Sequence, residues 1–357
     1  MANKSTEIYN YIAKLYQTSL KSTAEEIEKK RKFLASVHKI SNILFYASTT
    51  FVVLGIIGFF ITNFFISDEA AQTILTMLCI FILFINVPIS TICSVLKVGL
   101  IIYYTKLVKE KLLCKLYQAL DKNLKYTPGG FKLPVKYYEI EMVLKLVNII
   151  KDKSGVALSS EGIIKSLSPL LPRYDHIRID DVISGFYQGR RVNIIEFSLI
   201  ERQVYHTSEN KIKIKFIETF HGALFQTTME KQVNTNVFIE QRGSKLRCPR
   251  GLEKVSLESS EFAKIYEVFS NDQIEARYFL TTSTMENLIE LNNSGQKISG
   301  YINGKDVNLI IHTSEDMFEP DINKPLDNIN NYVDLIFQVK VILDMITKLK
   351  LESKTGL

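Results

Sequence analysis

The chain has 357 residues, 46% of them hydrophobic, with 44 Lys and Arg against 38 Asp and Glu, a formal net charge of +6. That length suits one sizeable domain with accessory elements, or two domains, and the positive excess gathers beside apolar runs, which points to anionic lipid rather than nucleic acid as the charged partner. Four cysteines without any C-x-x-C pair leave no zinc-ribbon or dithiol motif and nothing that requires a disulfide.

The leader contains no Pro or Gly. Ile8, Ile12 and Leu15, then Ile27, Leu34 and Val37, recur at helical spacing, so residues 1–43 are expected to form a cytosolic amphipathic helix. The run from Leu44 to Ile66, "LFYASTTFVVLGIIGFFITNFFI", holds no charge, and neither does the run from Ile74 to Leu96, which contains Pro88. Each exceeds the roughly 20 residues that carry a helix across a bilayer core of about 30 Å. Residues 44–96 therefore read as a transmembrane hairpin with spans 44–66 and 74–96, the second kinked where Pro88 removes a backbone donor. Arg31, Lys32 and Lys39 precede the first span and Lys97, Lys106, Lys109 and Lys111 follow the second, whereas the connecting loop carries only Asp68 and Glu69. Basic flanks stay inside. The expectation is a multi-pass protein of the bacterial inner (cytoplasmic) membrane with both termini cytoplasmic and the lipid bilayer as a partner.

After the second span, Leu112, Leu113, Leu116, Leu120 and Leu124 keep helical spacing until "TPGG" at 127–130, so 97–130 is expected to be a helical stalk and linker. Residues 131–325 then change in texture. A helix is expected around Tyr137 to Asp152, followed by short β-type runs. "IRIDDVISGFYQGRRVNIIEFSLI" reads as two strands about a turn at Gly189, and "KIKIKFIETF" alternates Lys with apolar residues as a half-buried strand does. "GALFQTTM" and "NVFIEQR" supply two more strand candidates, and Asn303-Gly304 in "KISGYINGKDVNLIIH" signals a hairpin. Ile329, Tyr332, Ile336, Val339, Leu343 and Ile346 follow Pro325 at spacings of three and four, which predicts an amphipathic closing helix over 326–357. The fold class is α+β: an N-terminal transmembrane helical hairpin with cytosolic helical extensions, then a mainly antiparallel sheet packed with helices. The apolar stripes on the post-span and closing helices need partners, and a homo-oligomer is one way to supply them.

The most motif-like stretch is "YEVFSNDQIEARYFLTTSTMENL", from Tyr266. Asp272, Glu275 and Arg277 lie among apolar residues, and two carboxylates beside a guanidinium are what acid–base work on an anion would use. The spacing also fits a capping box, Asp272 accepting from first-turn amides while Glu275 reaches back, with Thr281, Thr282 and Ser283 offering caps for a second helix and Ser283 and Glu286 forming the same box. Arg277 is left over by that account. The stretch resembles the D-x-x-E-A-R-Y-x-L-T signature of a bacterial family of two-span, membrane-anchored domains of unknown function. The resemblance extends over roughly Ser168 to Pro320 through "DDVISGFYQGRRVNIIEFSLIE", "FHGALFQTTM" and "MFEP". It departs at Thr282, where Pro would be expected in the first helical turn. It implies paired spans and a cytoplasmic domain, and no catalytic residues.

Elsewhere the site signals are sparse. His38, His176, His206, His221 and His312 form no H-E-x-x-H pair, and the chain lacks a phosphate-loop or nucleophile-elbow motif, so no catalytic residue, metal ligand or cofactor is assigned from the sequence. Arg242, Lys245, Arg247 and Arg250 make a basic loop that can face a phosphate, a lipid head group or water. The leading reading is a membrane-anchored cytoplasmic binding or scaffold module, self-associating or bound to a protein partner. One alternative is a tethered hydrolase or transferase using Asp272, Glu275 and Arg277 with Asp180, Asp181 or His221. Another is a small channel or membrane effector lined by Ser48, Thr49, Thr50, Asn63 and Asn86.

Overall fold

The computed structural model describes residues 10–129 except 12, 154–206, 211–293, 295, 297–313 and 316–328, with the isolated positions 132, 135, 138, 139, 142, 339 and 343. These fall into two units, one made of Leu20–Leu112 with Pro320–Asn331, the other containing Leu113–Glu319. Most of the helix expected around Tyr137 to Asp152, and most of the closing helix, lie outside the described residues.

Two long helices build the first unit, α1 (Lys21–Phe65) and α2 (Glu69–Val108), the latter continuing through Pro88. Asp68 caps α2, accepting from the amides of Ala70 and Ala71 at 3.0 and 3.1 Å. The pair has inverted polarity. Ser41, Ser48, Gly55 and Thr62, seven residues apart, are buried on α1, while Phe65 and Phe84 are 83% and 78% exposed. Small side chains let the backbones approach, and a seven-residue period holds one face toward the partner helix. Ser41 Oγ donates to the Cys93 carbonyl at 3.0 Å, the Thr62 and Thr76 hydroxyls meet at 3.2 Å, and a Cβ at Gly55 would lie 3.1 Å from Leu83. Lys97 of α2 lies over the Phe45 ring, 4.4 Å from its centroid, where its cation meets the aromatic face. Below the apolar stretch, Glu28 receives Arg31 through Nε and Nη2, both at 2.7 Å. Arg31 Nη1 donates to the Ile322 carbonyl at 2.9 Å, and Glu28 Oε2 accepts the Leu326 amide at 2.8 Å.

The second unit is an antiparallel seven-stranded sheet among the described residues. Its strands are β1 (Leu124–Thr127), β2 (His176–Tyr187), β3 (Arg190–His206), β4 (Ile212–Gln241), β5 (Glu253–Lys254), β6 (Tyr266–Ser270) and β7 (Lys297–His312). They run β1-β2-β3-β4-β6-β5, with β7 also on β4. Helices α3 (Cys114–Leu120), α4 (Ser154–Ser166), α5 (Ser260–Ile265), α6 (Gln273–Phe279) and α7 (Thr282–Asn293) complete it. The fold is α+β, two long apolar helices followed by this sheet and its helices. Gln188 and Gly189 turn β2 into β3 with φ of 49° and 77°, the doubly left-handed turn that matches strand twist. Around Val182, Ile195, Phe197, Leu199, Phe220 and Leu224 one sheet face packs against Ile164, Leu167, Leu170 and Leu171.

Several local expectations change. Helix α3 stops at Leu120, and Leu124 begins β1 instead of extending the helix. Asn303-Gly304 does not reverse the chain: β7 runs straight through it, because both halves of β7 pair with β4, whose register shifts between Thr228 and Asn236 absorb the left-handed Gly304. "GALFQTTM" and "NVFIEQR" are consequently two parts of one long strand. Leu112, Leu113, Leu116, Val339 and Leu343 are at most 1% exposed within a single chain, while Ile336 and Ile346 of the closing stripe lie outside the described residues.

Candidate functional site

Strand alternation separates two sheet faces. Ile195, Phe197 and Leu199 of β3 point into the apolar core, which sends Glu196 and Ser198 to the opposite face. There Glu196 pairs in register with Ala223, and Ser198 with His221, of β4. Beside them β2 is bulged: Ile179 opposes Phe197 and Val182 opposes Ile195, so Asp180 and Asp181 together oppose Glu196 alone. A bulge re-aims side chains, and this one brings two carboxylates onto a third. Asp181 and Glu196 are fully buried, and Asp180 and His221 are nearly so.

The partners come from three further segments. Asp181 Oδ1 accepts from Tyr126 Oη at 2.7 Å and from the Gly129 amide at 2.9 Å. A Cβ at Gly129 would lie 2.5 Å from the Asp180 carbonyl oxygen, so only glycine allows this approach. Lys132 Nζ bonds Asp180 and also reaches Asp316 Oδ1 at 2.6 Å. Glu196 Oε1 accepts the Met317 amide at 2.6 Å. The rings of Tyr117, Tyr126 and Phe318 close the group, with centroids 5.2 to 6.1 Å apart. His221 Nδ1 lies 2.9 Å from Ser198 Oγ, while its Nε2 lies 3.7 Å from Glu196 Oε1 and 3.4 Å from Asp316 Oδ1.

Burial, then the neighbouring Asp180 and Asp181, pushes the Glu196 carboxyl up to about 9, despite the Met317 amide and Lys132. Burial opposes the charge of Lys132, but Asp180 and Asp316 outweigh it and hold the ammonium above its ordinary value. Glu196 Oε2 and His221 Nε2 have no hydrogen-bond partner among the described residues, which is costly for buried polar atoms. Asp180, Asp181 and His221 appear in the sequence as accessories to an enzyme reading; Glu196, Lys132 and Asp316 do not. The available signal is the single charge of Glu196 inside the apolar run "VNIIEFSLI".

The motif carboxylates lie elsewhere. Asp272 caps α6, its Oδ1 accepting the Ile274 and Glu275 amides at 2.9 and 3.1 Å, a contact typically worth about 1 kcal/mol. Glu275 does not reach back; it accepts the Asn234 amide of β4 at 2.8 Å. Arg277 Nε donates to the Ser256 carbonyl at 3.1 Å, and Nη2 reaches Gln273 Oε1 at 3.4 Å. Thr281, rather than Ser283, caps α7 by accepting the Thr284 amide at 3.3 Å. Asp272 thus starts α6, and Glu275 and Arg277 fasten it to β4 and to the segment at Ser256.

Of the basic loop, Arg242 and Lys245 line a cleft of about 230 Å³ together with Lys297, His312, Gln241, Ser244 and Ser299, whereas Arg247 and Arg250 are not among its lining residues. Arg242 Nη1 also pairs with Glu267 at 3.1 Å. Burial first, then Lys245 and Lys297, lowers the pKa of His312 below its ordinary value.

No curated protein matches the chain. Among solved structures, the crystal structure of the mycobacterial trehalose monomycolate transport factor A, TtfA, is similar over 48% of this chain and 74% of that one, with 10% identity and a TM-score of 0.27. Residues 218–351 match the family described as "Protein of unknown function (DUF3137)", a range that includes His221, Asp272 and Asp316 and leaves out Asp180, Asp181 and Glu196.

Proposed function

We propose that this chain is a membrane-anchored binding module: α1 and α2 cross the bacterial cytoplasmic membrane, both termini face the cytoplasm, and the sheet unit binds the phosphate group of an anionic ligand in the cleft of Arg242, Lys245, Lys297 and His312. The observation that carries the anchor is the inverted polarity of the helix pair, with small residues turned inward and phenylalanines outward. Water would penalise that arrangement, and lipid does not. The basic flanks set the orientation. The channel reading is disfavoured because the Ser48, Thr49, Thr50 and Asn63 side chains donate to carbonyls of their own helix, at 2.7 to 3.1 Å.

A periplasm-active reporter fused at Ala70 is expected to give signal and one fused at Leu357 none; activity from the terminal fusion would reverse the topology. For the cleft, the full chain in neutral-lipid nanodiscs is expected to bind inorganic pyrophosphate, and the Lys245→Ala, Lys297→Ala double variant to bind at least about tenfold more weakly, the loss of one charge-assisted contact. Binding only to anionic-lipid nanodiscs would identify a lipid head group as the source. Equal affinity of parent and variant for both probes would remove the cleft from the reading.

A further inference from the structure

We propose that Glu196, His221 and Asp316 form a binding site for one divalent first-row transition-metal ion, of the manganese, iron or zinc kind, with Ser198 as the positioning residue. The inference is independent of the anionic cleft, whose lining residues are different ones.

One ligand atom from each of the three residues lies within 4.8 Å of the other two, and Glu196 also belongs to a second such group with Asp180 and Asp181. Ligands bonded at about 2.0 to 2.2 Å sit no more than about 4.4 Å apart across an ion, so small shifts bring the three atoms onto one ion and leave at least one further position for water. Two atoms independent of the carboxylate count point to the ligand. Glu196 Oε2 and His221 Nε2 are buried and without hydrogen-bond partners among the described residues, and Nε2 lies 3.7 Å from the other oxygen of the same carboxylate, Oε1. A cation held by the Glu196 carboxylate and His221 Nε2 would satisfy their lone pairs.

His221 Nδ1 and Ser198 Oγ are 2.9 Å apart; metal binding at Nε2 would fix the tautomer in which Nδ1 carries the proton and donates to Ser198 Oγ. Lys132 bonds Asp180 and Asp316 at the edge of the group. Any proton on Glu196 leaves for solvent as the ion binds. One imidazole beside carboxylates favours manganese, iron or zinc over calcium or magnesium, which prefer oxygen alone.

The test uses the full chain in detergent, stripped with EDTA and dialysed against MnCl2 or ZnCl2, with MgCl2 and CaCl2 in parallel and bound metal counted by mass spectrometry. One manganese or zinc ion per chain is expected. Glu196→Gln and His221→Gln should each weaken binding by at least about tenfold, Ser198→Ala by about tenfold as an outer-shell change does, and His206→Ala, on the exposed end of β3, not at all. Circular dichroism confirms that each variant is folded. X-ray absorption of the zinc form should show one imidazole ligand, absent in His221→Gln. Less than a tenth of an ion per chain, binding by Glu196→Gln and His221→Gln equal to the parent's, or a zinc shell without imidazole would each overturn the proposal.

Discussion

Replacing Glu196 with Gln should stabilise the sheet unit at pH 8, measured by denaturant unfolding of the full chain in detergent with EDTA present. The carboxyl is fully buried beside Asp180 and Asp181, which raises its pKa to about 9, whereas in the unfolded chain a glutamate titrates near about 4.3. The raised value sets the sign. Below the unfolded pKa both states hold the proton and nothing is lost. Between the two values the folded state keeps a proton that the unfolded state has released, so stability falls as pH rises, by about 1.4 kcal/mol per pH unit for one proton. Glutamine occupies the same space without a charge to suppress. Asp180, Asp181, Asp316, Lys132 and His221 face this position in both proteins, so the difference between their slopes from pH 5 to pH 8 isolates Glu196. Parallel slopes would show that the carboxyl is ionised throughout that range.

The second large effect lies in the helical unit. Glu28→Ala should cost about 3 to 5 kcal/mol, because it strands Arg31 in a largely buried site and leaves the Leu326 amide without its acceptor. Burial alone would raise the Glu28 carboxyl, but Arg31 and the Leu326 amide outweigh it and hold it below the ordinary value. A lowered folded pKa gives stability that is present above the unfolded value and lost as pH falls through the folded one. The parent should therefore lose stability on acidification in a window that Glu28→Ala lacks. The double change Glu28→Leu, Arg31→Met should recover most of the loss, since apolar replacement of a whole buried pair is often neutral. A single-variant cost below about 1 kcal/mol, typical of exposed pairs, would mean that the pair is wet.

What the sequence determined by itself is whatever depends on local period and local charge. Two uncharged runs, basic flanks and the acidic loop of Asp68 and Glu69 are contiguous signals, and so are the alternation of "KIKIKFIETF", the turn at Gly189 and the two helix starts after Asp272; the α+β class is legible from them. The seam of Ser41, Ser48, Gly55 and Thr62 was also present as a seven-residue period, though it shows only when small residues rather than large ones are followed. Tertiary structure decided the rest. Asn303-Gly304 carries the same local preference whether the chain reverses or continues, and only the pairing of both halves of β7 with β4 selects the straight path. Asp272, Glu275 and Arg277 were conspicuous because they are adjacent in sequence, yet Asp272 starts α6 and Glu275 and Arg277 fasten it. Lys132, Asp180, Glu196, His221 and Asp316 meet through a bulge in β2, a one-residue alternation in β3 and the turn after β7. Chain separation hides such a group from any short pattern, because the burial that changes the chemistry of Glu196 comes from residues that pack around it and not from those beside it in the chain.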